Sequence, residues 1–428
     1  MKILIAFLLS ITTFLAGADV TTTNTMAYSP YTVGAFGDMI SSKLTPAING
    51  DWVNGINSQI ATVGTPLNSA TGDISNGRLR LQTGTNTAGA VALVSKKPIR
   101  YRQGEGSIVR FTSAFTTCVA NSLQLMGVAN YTASASNTVF LDGYLVGCNG
   151  ANFGILYRNN TSDTVINQSA FNIDKVDGTG KSGVTINYTF GNVYQIKYPY
   201  LGYGDVEIAI QNPETGTMIP VHRIKYANTT ATVQLSNPNL SFYAIAQNSG
   251  NTTNLTMYNA SFAGFVTGER EYLGATFGTS NRKTAITTRT NIFTMKMATT
   301  LNGAAVKGIT RLKSCSFACD GANDTCLFDL VKSTALGGTP SYTPISGTTA
   351  DAGVTLTNAN SAISVDTAGT TVTGGTIQFN ASAARNTGYE TDLTGYYLHL
   401  TSGETFTVAI TGDASTTARA SCNWTEDY

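Results

Sequence analysis

Charged side chains are scarce in this sequence. They make up 12% of its 428 residues, whereas an ordinary globular domain has about 25%. Lys and Arg number 26 against 25 Asp and Glu, so the formal net charge is only +1. Binding to nucleic acid by electrostatic attraction requires a strong basic excess. The one basic cluster, Lys96 to Arg102 with Arg110 beyond it, fits a strand edge protected against aggregation better. We therefore expect no nucleic-acid partner.

Histidine is nearly absent, and with it the usual catalytic bases. His222 and His399 are the only two, and each lies in a strand-like run. The six cysteines include no C-x2-C pair that would indicate a zinc site. Glycosidases need two carboxylates on a cleft, but no motif such as E-x-D-x-x-E occurs. The sequence predicts no catalytic residue, no cofactor, no metal and no enzymatic activity.

Asp174 and Asp177 are the best candidates for a calcium site. They lie in the segment Phe171–Gly180, whose side-chain and loop oxygens suit that ion. Their spacing differs from that of an EF-hand loop, and an Asp-Gly turn explains them more simply. We favour the turn.

Long apolar runs are missing except at the N-terminus. Lys2 precedes an apolar stretch from Ile3 to Leu15, and Ala16-Gly17-Ala18 follows. This order is typical of a cleaved secretory signal peptide, residues 1–18. The alternative is a membrane anchor, but the run is shorter than the roughly 20 residues needed to cross a bilayer. We expect a mature chain without a transmembrane segment, secreted or carried on a virion surface.

Helical periodicity is also lacking, because apolar residues recur with period two almost throughout. In 205–211 and 405–411 apolar and polar residues alternate, which is typical of antiparallel strands with one wet face. The other predicted strands are 107–116, 122–130, 139–148, 152–158, 193–200, 218–226, 241–247, 253–266, 292–299, 308–317, 326–333, 361–366, 370–380 and 396–400. Only the signal peptide and part of 35–60 are helical candidates.

Turn chemistry and a pause in the pattern divide these strands. Asn212 to Gly216 suits a type I turn closed by a left-handed glycine, joining 205–211 to 217–226 as a hairpin. The pause at 266–274 holds three consecutive charges. The sequence predicts an all-β chain of two antiparallel β-sandwich domains, both jelly-roll-like: 19–268, which is also concanavalin-like, and 273–428.

Tyr198, Tyr200 and Tyr203 form the most suggestive binding feature. Exposed aromatic rings at this spacing can stack on sugar rings, which makes the three residues candidates for glycan binding. The alternative, which we favour, is packing in a core or interface beside a glycine bulge.

Asn-x-Ser/Thr sequons cluster between residues 130 and 259. In an exported eukaryotic chain they are candidates for N-glycosylation. The candidates are Asn130, Asn159, Asn160, Asn167, Asn187, Asn228, Asn239, Asn251, Asn254, Asn259, Asn323, Asn380 and Asn423.

The even number of cysteines predicts disulfides in an exported chain. A hairpin of 122–130 with 139–147 brings Cys118 opposite Cys148 after a register shift of three residues. Cys319 and Cys326 flank a turn and can join its base, which leaves Cys315 for Cys422. The competing pairing, Cys315 with Cys326 and Cys319 with Cys422, needs only a strand slip.

Ordered sequence blocks carry a resemblance to a known group. They are Tyr101–Gly106, Arg110–Thr112, Asp142-Gly143, Asn149-Gly150, Phe153–Ile155, Asp174-Lys175, Asp177–Gly180, Gly191–Ile196, Val221–Ile224, Tyr226–Asn228, Leu336–Ser341, Asp366–Val372 and Asn423–Asp427. Across most of 95–428 the chain resembles β-rich virion-associated proteins of uncertain role from large DNA viruses of eukaryotes and tailed phages.

The resemblance implies a non-enzymatic viral structural or surface-appendage protein that mediates particle assembly or host attachment. The leader, the sequons and the cysteine pairs depart from that group. Two alternatives therefore stay open: a secreted lectin-like glycan-binding protein, and a glycoside hydrolase on a concanavalin-like sandwich. We also expect a homo-oligomer, with a trimer suggested by analogy with virion appendages, because sandwich faces with little charge associate readily.

Overall fold

The computed structural model describes residues 32–33, 39–40, 43–102, 104–267, 275–301, 304–306, 308–320, 325–348, 355–357, 361–412 and 416–427. The predicted signal peptide, and the predicted boundary between a domain that ends at 268 and one that begins at 273, lie outside these residues. The described residues form strands joined by loops, with only two 3-10 turns among them, and every strand pairing is antiparallel, so this part of the chain is all-β, as the alternating pattern predicts. No helix in the described ranges is long and apolar enough to cross a membrane.

Residues 44–267 form three sheets. The seven-stranded sheet has the spatial order β12 (Ser162–Asn167), β11 (Asn152–Asn159), β10 (Phe140–Asn149), β9 (Ser122–Tyr131), β16 (Ser241–Asn248), β7 (Ala90–Ser95) and β4 (Ala61–Val63). The six-stranded sheet has the order β15 (Met218–Ile224), β14 (Val206–Gln211), β13 (Asn192–Tyr198), β8 (Ser107–Ser113), β18 (Ser261–Thr267) and β3 (Leu44–Asp51). The three-stranded sheet contains β17 (Thr256–Asn259), β6 (Arg78–Gln82) and β5 (Thr71–Ser75).

The two large sheets pack face to face over one apolar core. Alternation along β8 buries Val109 and Phe111, and Phe111 meets Phe242 of the opposite sheet with ring centroids 6.0 Å apart. Tyr144 and Tyr198 pair across the same layer at 6.1 Å. Burying such rings stabilises by about 1.5–3 kcal/mol for each side chain. We call this sandwich the first unit.

Residues 275–427 form a second pair of sheets. The five-stranded sheet contains β19 (Ala275–Ile286), β35 (Thr416–Asp427), β23 (Ile309–Asp320), β32 (Thr387–Asp392) and β33 (His399–Leu400), the last also pairing with β23. The six-stranded sheet has the order β26 (Thr343–Pro344), β29 (Ile363–Asp366), β20 (Thr290–Met297), β34 (Thr405–Thr411), β24 (Cys326–Lys332) and β31 (Thr376–Ala383).

The second pair of sheets encloses its own core, which contains Trp424, Phe293 and Phe406. Phe317 of one sheet packs on Phe328 of the other at 4.9 Å. We call this sandwich the second unit.

Short two-stranded pairs complete the strand inventory. They are β1 (Thr32–Val33) with β2 (Met39–Ile40), β21 (Thr300–Leu301) with β22 (Ala304–Ala305), β25 (Ala335–Leu336) with β30 (Val372–Thr373), and β27 (Ser346–Thr348) with β28 (Thr355–Thr357). Single 3-10 turns lie at Gln168–Ala170 and Thr394–Tyr396.

The helical expectation for part of 35–60 is wrong. Leu44–Asp51 is a strand at the edge of the six-stranded sheet. It contains Pro46, which cannot donate a ladder hydrogen bond and is tolerated at an edge. A register shift opposite Gly264 and Phe265 falls at the same place. Tertiary pairing therefore overrides the weak local pattern of this segment.

The hairpin turn agrees with its prediction. β14 pairs with β15, Gly216 has φ +72°, and its N–H donates to the Asn212 carbonyl over 2.9 Å. Asn212 Oδ1 accepts the Glu214 N–H over 2.9 Å. The positive φ explains why glycine stands at this position.

The structure contains the favoured disulfides Cys118–Cys148, Cys315–Cys422 and Cys319–Cys326. Cys315 and Cys422 lie directly opposite each other on β23 and β35. The register argument for Cys118 is wrong, however, because Gln124 faces Cys148 on the neighbouring strand. Cys118 reaches its partner from the loop that precedes β9.

Candidate functional site

The three tyrosines singled out as glycan-binding candidates do not form one exposed face. Tyr198 is only 1% exposed and lies in the core of the first unit, so its assignment to a binding surface is wrong. It follows Tyr194 and Ile196 on the inward face of β13, where period-two alternation places it. The core-packing alternative therefore describes Tyr198.

Tyr200 and Tyr203 lie in the loop after β13 and are tied to a neighbouring loop. The Tyr200 hydroxyl donates to the Leu235 carbonyl over 2.7 Å, and the Tyr203 hydroxyl donates to the Ala231 carbonyl over 3.0 Å. Tyr200 also packs edge-on against Tyr101 at 4.9 Å. Of the three tyrosines, only Tyr203 is exposed. The hydroxyl groups of Tyr200 and Tyr203 are used to hold the two loops together.

The calcium candidates form turns. Asp174 is buried, and its carboxylate accepts the N–H groups of Val176 and Ser182 over 2.9 and 2.7 Å. Asp177 accepts both the N–H and the hydroxyl of Thr179, and these hydrogen bonds lower the pKa of its carboxyl group. No group of three or more metal-ligating side chains occurs among the described residues.

Most described sequons are solvent-accessible, but one is not. Asn259 is 1% exposed; it accepts a hydrogen bond from the Trp52 indole over 2.6 Å and donates to the Thr112 carbonyl over 2.6 Å. A glycan cannot be attached there in the folded state, so Asn259 is not a surface glycosylation site. The exposed sequon asparagines are Asn160, Asn187, Asn228, Asn254, Asn380 and Asn423. Asn323 lies outside the described residues.

The outer face of the seven-stranded sheet is apolar. Leu125, Leu145, Leu156, Tyr243 and Ile245 form a separate buried cluster there. Asp163 is the one carboxylate that the described strands bring to this face, and it pairs with Arg158 over 2.5 Å. Glycoside hydrolysis needs two carboxylates on opposite sides of the scissile bond, so this face does not support it.

A cleft lies between the two units. Its volume is about 370 Å³, within the range of roughly 300–1,000 Å³ typical of small-ligand pockets. The first unit contributes Ala47, Ile48, Asn49, Ser58, Gln59, Ile60, Ser95, Lys96 and Lys97. The second unit contributes Lys332, Ser333, Thr376, Gln378, Tyr396, Tyr397, His399, Thr401, Glu404 and Phe406.

Two consecutive tyrosines give the cleft its aromatic surface. Asp392 Oδ1 accepts the N–H of Thr394 over 2.9 Å and starts a 3-10 turn, while buried Leu393 anchors it. Tyr397 ends the turn in the left-handed region with φ +52°. A non-glycine residue rarely adopts this conformation, and such strain is concentrated at functional sites. Tyr396 and Tyr397 remain 57% and 63% exposed.

His399 supplies a neutral imidazole. Burial, and then the nearby charges of Lys97 and Lys332, lower its pKa to about 3, so the ring is uncharged at neutral pH. Its Nδ1 lies 3.1 Å from the Tyr397 carbonyl oxygen. Because a carbonyl only accepts, Nδ1 carries the proton and Nε2 keeps its lone pair. The ring can therefore accept a hydrogen bond from a hydroxyl group.

Lys332 and Glu404 form an ion pair in the same cleft, with 2.7 Å between Nζ and Oε2. Glu404 also accepts the Thr401 N–H over 2.9 Å, and Lys332 donates to the His399 carbonyl over 3.2 Å. Burial opposes ionisation of Glu404, but Lys332 and Thr401 outweigh it and lower the pKa of the carboxyl group. At neutral pH the Glu404 carboxylate is therefore ionised and already paired with Lys332.

Sequence reasoning missed Tyr396 and Tyr397 and placed His399 only in a strand. The structure confirms a strand at His399, the short β33. The predicted strand 396–400 is longer, because its first residues belong to the preceding turn. The available signal was the adjacent pair after Gly395, since consecutive aromatic residues cannot both face the core of one strand. No local pattern in the sequence indicates that residues of the first unit line this cleft.

No protein-family model matches the sequence, and no curated protein matches it. Solved structures with detectable likeness include the Emp47p carbohydrate recognition domain, at 11% identity and a TM-score of 0.33, covering 53% of this chain and 98% of that one. An endo-1,3-beta-glucanase from Streptomyces sioyaensis has 8% identity and a TM-score of 0.36, with coverages of 54% and 99%. Lectin II from Ulex europaeus has 10% identity and a TM-score of 0.31, with coverages of 52% and 99%.

A structural likeness of this strength carries no inference about activity. The resemblance to virion-associated proteins and the expected homo-oligomer both remain predictions.

Proposed function

We propose that this chain is a secreted, non-catalytic carbohydrate-binding protein and that the cleft between the two units is its binding site. The observation that carries the proposal is the pair of exposed rings, Tyr396 and Tyr397, held in a strained turn at a cleft lined with polar groups. Aromatic faces pack against the C–H surface of a sugar ring, while the phenol hydroxyls stay hydrated. The three disulfides are compatible with an oxidising, extracytosolic compartment.

The polar lining supports a ligand rich in hydroxyl groups. Nε2 of His399 is an acceptor, and the side-chain amides of Asn49, Gln59 and Gln378 each offer both donors and an acceptor. These three amides make no side-chain hydrogen bond within the described ranges. A sugar can satisfy such groups in several directions at once, whereas an apolar ligand would leave them unpaired at a cost.

A hydrolytic role has less support. Glu404 is the single carboxylate of the described cleft lining, and Lys332 already pairs with it. Hydrolysis by either standard mechanism requires a second carboxyl group about 5–10 Å away. We therefore propose binding without catalysis.

A glycan array followed by isothermal titration of the best hit tests the proposal. Loss of a stacked ring costs about 0.5–1.5 kcal/mol, or roughly two- to tenfold in affinity. We expect Tyr397→Ala to weaken binding by about that factor and Tyr396→Ala to act similarly. The matched control is Tyr389→Ala, which removes an exposed tyrosine of the same unit outside the cleft.

Equal binding by all three variants would place any sugar elsewhere, and no binding by the unsubstituted protein would reject the proposal. A virion appendage that attaches to host glycans would use the same chemistry. Proteomics of purified particles separates that role from the role of a free secreted protein.

A further inference from the structure

We infer that the ligand of the cleft is an extended chain of at least two linked sugars, and that a second cavity beside the cleft binds the sugar that continues this chain. The inference rests on the proposed function and adds to it the length of the ligand and a second subsite. Tyr396 and Tyr397 hold one sugar, and the second cavity holds its neighbour.

The second cavity also lies between the two units. Its volume is about 300 Å³, at the lower end of the range of pockets that bind small ligands. The first unit contributes Ala129, Tyr131 and Ser241, and the second unit contributes Val306 and Ser402. Ala129 belongs to the apolar cluster on the outer face of the seven-stranded sheet, and Tyr131 packs against that cluster. The second cavity therefore lies over one end of this face.

The cleft and the second cavity share a border. Lys96 of the first unit, and Thr401 and Glu404 of the second, line both of them. Two hydrogen bonds close the turn from Thr401 to Glu404: the Thr401 N–H donates to the Glu404 carboxylate over 2.9 Å, and the Glu404 N–H donates to the Thr401 carbonyl over 3.0 Å. On the opposite side the Lys96 N–H donates to the Ile60 carbonyl over 2.8 Å. A chain that crosses this border meets preformed walls, which lowers the entropic cost of binding.

Two buried polar groups of the second cavity lack a partner within the protein. Asn237 and Ser241 line it and are only 4% and 5% exposed. Asn237 Oδ1 accepts the Asn239 N–H over 3.1 Å, but Asn237 Nδ2 and the Ser241 hydroxyl have no hydrogen bond to any described residue. A buried polar group that stays unpaired is costly. Sugar hydroxyl groups both donate and accept, so they can satisfy each of these two groups.

Tyr131 gives the second cavity an aromatic surface. Its ring packs against buried Tyr243, with 6.4 Å between the ring centroids. A sugar in this cavity can pack its C–H surface against the Tyr131 ring, as a sugar in the cleft can against the rings of Tyr396 and Tyr397. The second cavity therefore repeats the chemistry of the cleft, an aromatic ring beside hydrogen-bonding groups. This repetition favours one chain of linked sugars over a second, unrelated ligand.

Titration calorimetry with a series of chain lengths tests the inference. The probes are the mono-, di-, tri- and tetrasaccharide built from the sugar of the best glycan-array hit. We expect the tetrasaccharide to bind at least about tenfold more tightly than the monosaccharide, because two further hydrogen bonds of ordinary strength correspond to about that factor.

Ser241→Ala should weaken tetrasaccharide binding by about two- to tenfold, the effect of one lost hydrogen bond. Thermal unfolding should show no loss of stability, since the Ser241 hydroxyl has no partner within the described part of the protein. The matched control is Ser113→Ala, which removes another buried hydroxyl without a partner and lies outside both cavities.

Ser402→Trp should reduce the ratio of the tetrasaccharide and monosaccharide affinities to about one, because the indole ring fills the second cavity from the exposed position of Ser402. The matched control is Ser280→Trp, which places the same ring on an exposed serine of the second unit outside both cavities.

Equal affinity for all four probes, or a length dependence that neither Ser241→Ala nor Ser402→Trp changes, would overturn the inference and leave the proposed function standing. Failure of every probe to bind would overturn both.

Discussion

The three disulfides should differ in how strongly they stabilise the fold, because they close loops of different length. Their partners are separated by 107 residues for Cys315–Cys422, 30 for Cys118–Cys148 and 7 for Cys319–Cys326. All six cysteines are buried. Replacing each pair by two alanines therefore removes a similar amount of buried sulfur, and the differences between pairs isolate the effect of the cross-link.

The chain-entropy relation gives the magnitudes. It assigns roughly 4.7 kcal/mol to a loop of about 100 residues, and the same relation gives about 3.7 and 2.4 kcal/mol for the two shorter loops. For a unit of this size, each kcal/mol shifts the unfolding temperature by about 2–4 °C. We expect the double variant C315A/C422A to lower the melting temperature of the second unit by about 10–19 °C, and C319A/C326A by about half of that.

The two tryptophans allow each unit to be followed separately. Trp52 is buried in the first unit and Trp424 in the second. Urea unfolding of W52F and W424F backgrounds, monitored by fluorescence, should show C315A/C422A shifting only the Trp424 transition and C118A/C148A only the Trp52 transition. Equal losses from all three disulfide variants would refute the reasoning from loop length and point to an enthalpic origin of their stabilisation.

Three further outcomes are expected. In a eukaryotic secretory host, peptide mass spectrometry should find Asn259 unmodified and Asn187, Asn228 or Asn254 glycosylated, because Asn259 is buried and the other three are exposed. A glycan on Asn259 in folded protein would contradict the buried position of this side chain. Asp142→Ala should destabilise the first unit by about 2–4 kcal/mol in urea unfolding. The buried carboxylate of Asp142 accepts the N–H groups of Asn160 and Ser236 over 3.0 Å and the Ser236 hydroxyl over 2.7 Å. The control is Asp163→Ala, which removes an exposed ion pair. His399 binds a proton in the unfolded chain near pH 6.5 but in the folded chain only near pH 3, so the unfolded state binds more protons in between and stability falls as pH drops. Between pH 6.5 and pH 5 the second unit should lose about 1.6 kcal/mol, and His399→Gln should abolish that slope; an unchanged slope would show that other groups cause it.

Local sequence patterns predicted the elements whose partners lie nearby. The hairpin of β14 and β15 follows from strict alternation and from the turn that ends in Gly216. Strand β3 was misjudged, because Pro46 and a short apolar pattern hide a strand that only its neighbour β18 stabilises. Strands β5, β12 and β32 were missed for a related reason: their residues are exposed or half-buried, so the period-two contrast is weak.

The candidate site was harder to foresee than the fold. Tyr396 is the last residue of a 3-10 turn and Tyr397 is a left-handed residue, and neither conformation produces a periodic pattern in the sequence. Lys96 and Lys97 are separated from Tyr396 and Tyr397 by about three hundred residues, and the two pairs line one cleft only when both sandwiches are formed. The disulfide prediction shows the same limit, since the favoured Cys118–Cys148 pair occurs but by a loop path that strand register does not describe.

The division of the cleft between two sandwiches has a consequence for how the protein can be dissected. Each unit has its own core and its own hydrogen-bonded sheets among the described strands, so each contains what independent folding requires. Neither unit alone contributes both the residues around Lys96 and the two tyrosines Tyr396 and Tyr397 to the cleft. A fragment that folds would still be unable to recognise the ligand, and mixing two separately expressed fragments would recover recognition only to the extent that they associate.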